Sequence, residues 1–145
     1  RKSPMTHPPP ALAIKVGVGG WTYEPWEESF YPPGLPAKRQ LEYMGKVLGA
    51  VEVNGTFYRS MSEAAYARWA EETPAGFVFS LKAHRFAVTR KTKEEMKEAA
   101  AWFIASGVAA LGDKLGPINW QFQNRKFDAD YFDAFLSALP REVSG

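Results

Sequence analysis

Short apolar runs, rich in β-branched and aromatic residues, alternate along the chain with segments whose apolar residues recur at helical spacing. Runs of this kind, bounded by turn residues, are typical of buried strands. The four predicted strands are AIKVGVGGW at 13–21, AVEVN at 50–54, GFVFSLKA at 76–83 and GPINWQFQ at 116–123.

Helices are predicted after each strand. Leu41, Met44, Val47 and Leu48 recur at helical spacing, and Gly49 is a plausible stop. Two capping boxes, Ser60 with Glu63 and Thr92 with Glu95, predict the next two helix starts. These helices run to Pro74 and to Gly107. Asp128 predicts the cap of a last helix, which has Tyr131, Phe132, Phe135 and Leu139 on one side and ends at Pro140.

Four β-α units in succession predict a parallel sheet covered by helices. A (β/α)8 barrel needs about 250 residues, so 145 residues with four units correspond to about half of one. The rival is an open doubly wound sheet with a glycine-rich phosphate loop after its first strand. Thr22 stands where the third glycine of that loop belongs, and a proline-rich loop follows instead of a helix. The dinucleotide fold is therefore disfavoured.

Composition narrows the function classes only slightly. Hydrophobic content of 46% predicts a real core, while a net charge of +2 and a pI near 8.8 neither require nor exclude a nucleic-acid partner. The absence of cysteine excludes disulfides, thiolate nucleophiles and cysteine-bound metal, and it fits a cytoplasmic location. No apolar run approaches the roughly 18 residues of a membrane span. Residues 1–12 are predicted to form a disordered, proline-rich tail.

Four strings occur in a fixed order: VGVGGWTYEPWEESFYPPGLP, VEVNGTFYR, FVFSLKAHRFAVTRK and LGDKLGPINWQFQNRKFD. From about Ile14 to Pro140 the chain resembles the YecE-like family, domain of unknown function 72, although QNRKF replaces a turn that often contains proline. The resemblance implies a (β/α)8 or closely related barrel, of which residues 13–145 supply the N-terminal half. It implies no activity. A half-barrel exposes two strand edges, so self-association or the missing half is expected to close it.

Side chains alternate across each strand, and the helices need an apolar surface. Val51, Val53, Phe79 and Leu81 are therefore expected to face the helices. Glu52 and Lys82 would then point into the barrel, where they are expected to pair because an isolated buried charge is costly. The alternative role for this pair is purely structural.

Active sites of (β/α)8 proteins lie at the C-terminal ends of the strands. Asn54, His84 and Gln121 fall there beside Lys82. Each also has a structural explanation, as a turn-stabilising amide, a satisfied loop histidine or part of a hydrogen-bond network. Their convergence on one end of the sheet favours a site.

Cations gather at the same end. Five lysines or arginines occur between Lys82 and Lys93 with no acid before Glu94, and Arg59 leaves the second strand on that side. Such a cluster suits a phosphate or carboxylate ligand, and interleaved aromatic rings would suit stacking on bases. A solvated loop is the alternative. No histidine pair or carboxylate cluster predicts a metal site, and no cofactor is assigned.

The leading hypothesis is a barrel enzyme that binds a small anionic or phosphorylated ligand, with phosphodiester hydrolysis as the most economical reaction. The candidate catalytic residues are Lys82, Glu52 and His84. The candidate binding residues are Asn54, Thr56, Tyr58, Arg59, Arg85, Gln121, Trp21 and Tyr23. The alternatives are a non-catalytic nucleic-acid or ligand-binding module, and a half-barrel that functions only as an assembly.

Overall fold

The computed structural model describes residues 14–143, so the predicted tail over residues 1–12 lies outside the described residues. Within them, four strands form one parallel sheet whose spatial order follows the chain order. A doubly wound sheet would reverse direction at a switch point, and this sheet does not. The strands are β1 (Gly17–Gly19), β2 (Ala50–Val53), β3 (Val78–Lys82) and β4 (Leu115–Asn119).

Helices connect the strands. The four predicted helices are present, and two single-turn helices and three 3₁₀ segments occur where loops were expected. The α-helices are α1 (Gln40–Val47), α2 (Gly55–Tyr58), α3 (Glu63–Glu72), α4 (Arg85–Thr89), α5 (Lys93–Ile104) and α6 (Ala129–Ala138). The 3₁₀ segments are Glu24–Trp26, Ala37–Arg39 and Val108–Lys114. None of the helices within residues 14–143 is both long and apolar enough to cross a bilayer.

Two of the three predicted helix caps are confirmed. At α5, the Glu95 N–H donates to Thr92 Oγ1 at 3.2 Å, and the Thr92 N–H donates to the Glu95 carboxylate at 3.4 Å. At α6, Asp128 Oδ1 accepts from the Tyr131 N–H at 2.9 Å. The capping box at Ser60 is wrong, because α2 extends to Tyr58 and the chain then runs on until Ser62 caps α3.

The core lies between one face of the sheet and the helices. Val51, Val53, Phe79 and Leu81 are all buried, which confirms the predicted orientation of the apolar faces. Their partners are Leu41 and Met44 of α1, Tyr66 and Trp69 of α3 and Phe103 of α5. Val47 was expected on this face but is 54% exposed, because it ends α1 beyond the edge of the core.

The opposite face of the sheet is open among the described residues, with Ala50 and Val78 at the start of β2 and β3 and polar side chains further along the strands. Glu52, Ser80 and Lys82 are only partly buried, and Asn119 is exposed. A second, smaller apolar cluster forms under α6, where Met96, Tyr131 and Phe135 are buried. Trp120 joins the two clusters, since its ring lies 5.7 Å from that of Phe103 and 5.1 Å from that of Phe135.

Candidate ligand-binding site

A pocket of about 300 Å³ opens where β1 and β2 end. Four residues predicted from the sequence to bind a ligand, Trp21, Tyr23, Asn54 and Arg59, line it together. We call it the Trp21 pocket. Its remaining lining residues are Gly20, Thr22, Val53, Gly55, Met61 and Trp69.

The turn after β1 forms one wall of the Trp21 pocket. Gly20 has a φ of 86°, and its N–H donates to the Glu52 carbonyl at 2.8 Å, which ties the turn to β2. A Cβ at Gly20 would lie 3.0 Å from the Tyr23 hydroxyl, so glycine suits this position on both counts. The Trp21 ring packs edge-on against that of Trp69, with centroids 5.3 Å apart. The wall is therefore aromatic and anchored on the core.

The exit from β2 supplies the polar groups. Asn54 precedes α2, and its amide nitrogen would lie 3.2 Å from a Cβ placed on Gly19, so its side chain lies over the end of β1. Arg59 follows α2 in an extended conformation and is exposed. Among residues 14–143, no carboxylate lies within 4.0 Å of its guanidinium. The lining residues include no acid, so the pocket carries net positive charge.

Two other residues predicted on α2 lie outside the Trp21 pocket. Thr56 is only 1% exposed, and its hydroxyl lies 2.8 Å from the Val53 carbonyl and 2.6 Å from the Lys82 carbonyl. It therefore joins the ends of β2 and β3 and has no free face for a ligand. Tyr58 is 67% exposed and packs against the ring of Phe57 at 5.1 Å.

The predicted ion pair between Glu52 and Lys82 is wrong for the described residues, where no charged nitrogen lies within 4.0 Å of the Glu52 carboxylate. The strand register explains this. Glu52 lies opposite Ser80, and Lys82 is two residues beyond Ser80, which is about 7 Å along β3. Glu52 instead accepts a long hydrogen bond, 3.5 Å, from the Asn119 amide. The Lys82 ammonium lies 5.1 Å from the centroid of the Phe57 ring.

His84 is buried, with 4% of its surface exposed, at the start of α4. Its Nδ1 accepts from the Phe86 N–H at 3.2 Å, and the Phe86 and Trp102 rings pack against it. Burial lowers the pKa of His84, and the positive charges of Arg85 and Arg90 lower it further. The imidazole is therefore neutral near pH 7 and already committed at Nδ1.

Arg85 and Gln121 were also predicted to bind a ligand, and both lie at the same end of the sheet as the Trp21 pocket but outside it. Arg85 is exposed, and its guanidinium lies 5.6 Å from the centroid of the Phe86 ring. Gln121 was expected on β4, but that strand ends at Asn119, so Gln121 lies in the irregular segment that follows. Neither residue lines the Trp21 pocket.

Sequence reasoning missed several residues of the Trp21 pocket. Trp69 was assigned only to helix α3, and Met61 lies in a connection that carries no periodic signal. The rim glycines Gly20 and Gly55 could have been suspected, since glycine lets a backbone approach a ligand closely. No group of three or more possible metal ligands occurs among residues 14–143.

The sequence matches a known protein family. The family model described as Protein of unknown function DUF72 matches residues 15–144. The UPF0759 protein YunF of Bacillus subtilis (strain 168) is 29% identical in an alignment over 117 residues that covers 75% of this chain and 39% of that protein.

Two crystal structures of a DUF72 family protein from Enterococcus faecalis V583 share the fold. At 2.52 Å resolution the TM-score is 0.58 with 16% identity, over 85% of this chain and 45% of that chain. At 3.10 Å resolution the TM-score is 0.63 with 17% identity, over 86% and 46%. The chain thus spans less than half the length of each relative.

Proposed function

We propose a function from the geometry of the pocket, because the chain belongs to the family described as Protein of unknown function DUF72 and that description names no activity. The Trp21 pocket binds a small organic anion that carries a flat apolar group. The aromatic wall accepts the apolar group, and Arg59 accepts the anionic group.

The observation that carries this proposal is the charge of the lining. Arg59 is the charged residue of the lining, and no aspartate or glutamate accompanies it. A guanidinium binds phosphate or carboxylate through two parallel hydrogen bonds. A ligand with an anionic group therefore gains more here than its neutral analogue.

The size of the Trp21 pocket limits the ligand. A volume of about 300 Å³ is at the lower end of small-molecule sites. It suits one ring with an anionic substituent better than a dinucleotide. Trp21 and Trp69, which meet edge-on, present ring surface that a flat group can contact.

A (β/α)8 architecture is part of this proposal. Four parallel strands in chain order, with helices packed on one face of the sheet, are what half of such a barrel would contain. In barrels of this kind ligands bind at the C-terminal ends of the strands. The Trp21 pocket lies at that end of β1 and β2, which supports its assignment as the binding site.

Titration with phenyl phosphate tests the proposal, because Trp21 and Trp69 report binding through their fluorescence. We expect phenyl phosphate to bind, and benzyl alcohol, which lacks the anion, to bind more weakly. Arg59→Gln is expected to weaken phenyl phosphate binding by about ten-fold or more, since a hydrogen bond to a charged group contributes about 1.5–3 kcal/mol. The affinity for benzyl alcohol should not change in this variant.

Arg68→Gln is the matched control. Arg68 is an exposed arginine of α3 that lies 3.7 Å from the Glu72 carboxylate, outside the pocket. If Arg59→Gln and Arg68→Gln change phenyl phosphate affinity equally, Arg59 does not hold the anion. If benzyl alcohol binds as tightly as phenyl phosphate, the pocket is apolar and not an anion site.

Phosphodiester hydrolysis is a second candidate, favoured by the polar open face of the sheet. There Glu52 would take a proton from water as the water oxygen attacks phosphorus, and Lys82 would stabilise the charge on the phosphoryl oxygens and the departing alkoxide. The Asn119 amide, 3.5 Å from the Glu52 carboxylate, supports the orientation of that base. Turnover of bis(p-nitrophenyl) phosphate should fall by about 100-fold in Lys82→Met. Equal turnover in Lys82→Met and in the parent protein would remove Lys82 from the site.

A further inference from the structure

A second surface lies at the ends of β3 and β4, outside the Trp21 pocket. It consists of the cations Arg85, Arg90, Lys91, Arg125 and Lys126 with the rings Phe86, Phe127 and Phe132. We call it the basic strip.

One backbone group ties the two halves of the basic strip together. Arg125 Nη1 and the Tyr131 hydroxyl each donate to the Arg90 carbonyl at 2.8 Å. The Arg125 guanidinium also stacks on the Tyr131 ring, 3.4 Å from its centroid. The segment after β3 is therefore fixed against the segment that leads into α6. The contact brings the segment that carries Arg85, Arg90 and Lys91 next to the segment that carries Phe127 and Phe132.

Exposed aromatic rings are interleaved with these cations. Phe86 is 42% exposed, and the guanidinium groups of Arg85 and Arg90 lie 5.6 and 4.8 Å from its centroid. Phe127 is 75% exposed and Phe132 is 38% exposed. These two rings border a cavity of about 240 Å³. The other lining residues of that cavity are Phe122, Arg125, Lys126, Asp128 and Tyr131.

The cations of the strip are not neutralised within the described part of the chain. The ion pairs at 4.0 Å or less among residues 14–143 lie on α3 and on α1 with the 3₁₀ turn before it, and they involve no member of the strip. Two acids close to the strip accept backbone hydrogen bonds instead, since Asp128 caps α6 and Glu95 completes the capping box of α5. The positive charge and the exposed rings of the basic strip are therefore available to a binding partner.

We propose that the basic strip binds single-stranded nucleic acid. A base would stack on Phe127 and Phe132, and the phosphates that follow would contact Lys126, Arg90 and Lys91. Single strands present base faces together with phosphates, which is the combination that exposed rings and cations recognise. A duplex hides its base faces, and an acidic peptide offers nothing flat to the rings. The proposal is independent of the Trp21 pocket.

Fluorescence anisotropy with a labelled oligothymidine of about 12 nucleotides tests this proposal. We expect the single strand to bind more tightly than a hairpin duplex of equal charge, and the affinity to fall steeply with salt. Phe127→Ala should weaken binding by about five-fold or more. Lys126→Gln should reduce the slope of log K against log salt by about 0.7, the value for one phosphate on a single strand.

The controls lie at the other end of α6. Leu136→Ala removes an apolar side chain that is 52% exposed, and Arg141→Gln removes an exposed cation. Neither should alter binding. Circular dichroism checks that each variant remains folded. The proposal is overturned if no oligonucleotide binds at low salt, if Phe127→Ala behaves like Leu136→Ala, or if poly-glutamate competes as well as oligothymidine.

Discussion

Replacing Lys114 by methionine tests a contact that joins α3 to the 3₁₀ segment before β4. The Lys114 ammonium donates to the backbone carbonyls of Ala70 and Thr73, and it lies 3.2 Å from the Thr73 hydroxyl. These carbonyls belong to the last turn of α3 and to its C-cap, where the helix itself supplies no donors. The Thr73 hydroxyl donates in turn to the Trp69 carbonyl at 3.0 Å. Lys114 therefore caps α3 from a distant part of the chain.

The expected cost follows from these bonds. Methionine keeps most of the apolar stem of lysine but removes the ammonium group. Hydrogen bonds to a charged group contribute about 1.5–3 kcal/mol, and Lys114 is half-buried, so we expect Lys114→Met to lower the free energy of unfolding by about 2 kcal/mol. For a chain of this length the Tm should fall by about 4–8 °C.

Urea unfolding followed by far-ultraviolet circular dichroism measures this loss. Lys46→Met is the control, since Lys46 is exposed and its ammonium group pairs with the surface carboxylate of Glu42 within α1. An exposed pair of this kind contributes little. If Lys114→Met shifts the urea midpoint no more than Lys46→Met does, the capping role assigned to Lys114 is refuted.

Three further predictions concern stability. Gly107 has a φ of 107°, and a Cβ there would lie 2.6 Å from the Glu63 Cα, so Gly107→Ala should lower the free energy of unfolding by about 3 kcal/mol. Gly34 also has a positive φ but lies in open space, so Gly34→Ala should cost about 1 kcal/mol; equal urea midpoints for the two variants would contradict this. His84 has a lowered pKa, so the unfolded chain binds its proton first and stability should fall as the pH drops below about 6.5; His84→Asn should flatten that dependence between pH 7.5 and 5. Thr56→Val should cost about 1–2 kcal/mol, because it removes the one hydroxyl proton that the Val53 and Lys82 carbonyls share; a thermal midpoint equal to that of the parent would exclude this role.

Local signals predicted the sheet and most of the helix starts. The alternation of Val51 and Val53 with Glu52 depends only on the geometry of an extended strand, so the orientation of β2 could be predicted before any contact was known. The caps at Thr92 and Asp128 likewise depend on residues three positions apart. Such features arise within a few residues and need no tertiary partner.

Features that depend on register or on distant contacts could not be predicted. Whether Glu52 contacts Lys82 depends on the register between β2 and β3. Glu52 lies opposite Ser80, two residues before Lys82, so the two charged groups do not pair. Helices α2 and α4 are single turns that cannot form in isolation, because nucleation is costly and only packing stabilises them. The Trp21 pocket includes Trp69 through tertiary packing of the same kind, which brings the Trp69 ring of α3 against Trp21 after β1.

The open face of the sheet limits what could cover it. Among residues 14–143, Glu52 has one long hydrogen bond from Asn119, and Lys82 has an aromatic ring near its ammonium group in place of a carboxylate. Burying either charge without a partner would cost several kcal/mol. The layers of Val, Ile and Leu that commonly fill barrel interiors are therefore unsuited to the part of this face around Glu52 and Lys82. A covering surface would have to offer donors to Glu52 and acceptors to Lys82, or else leave ordered water between them.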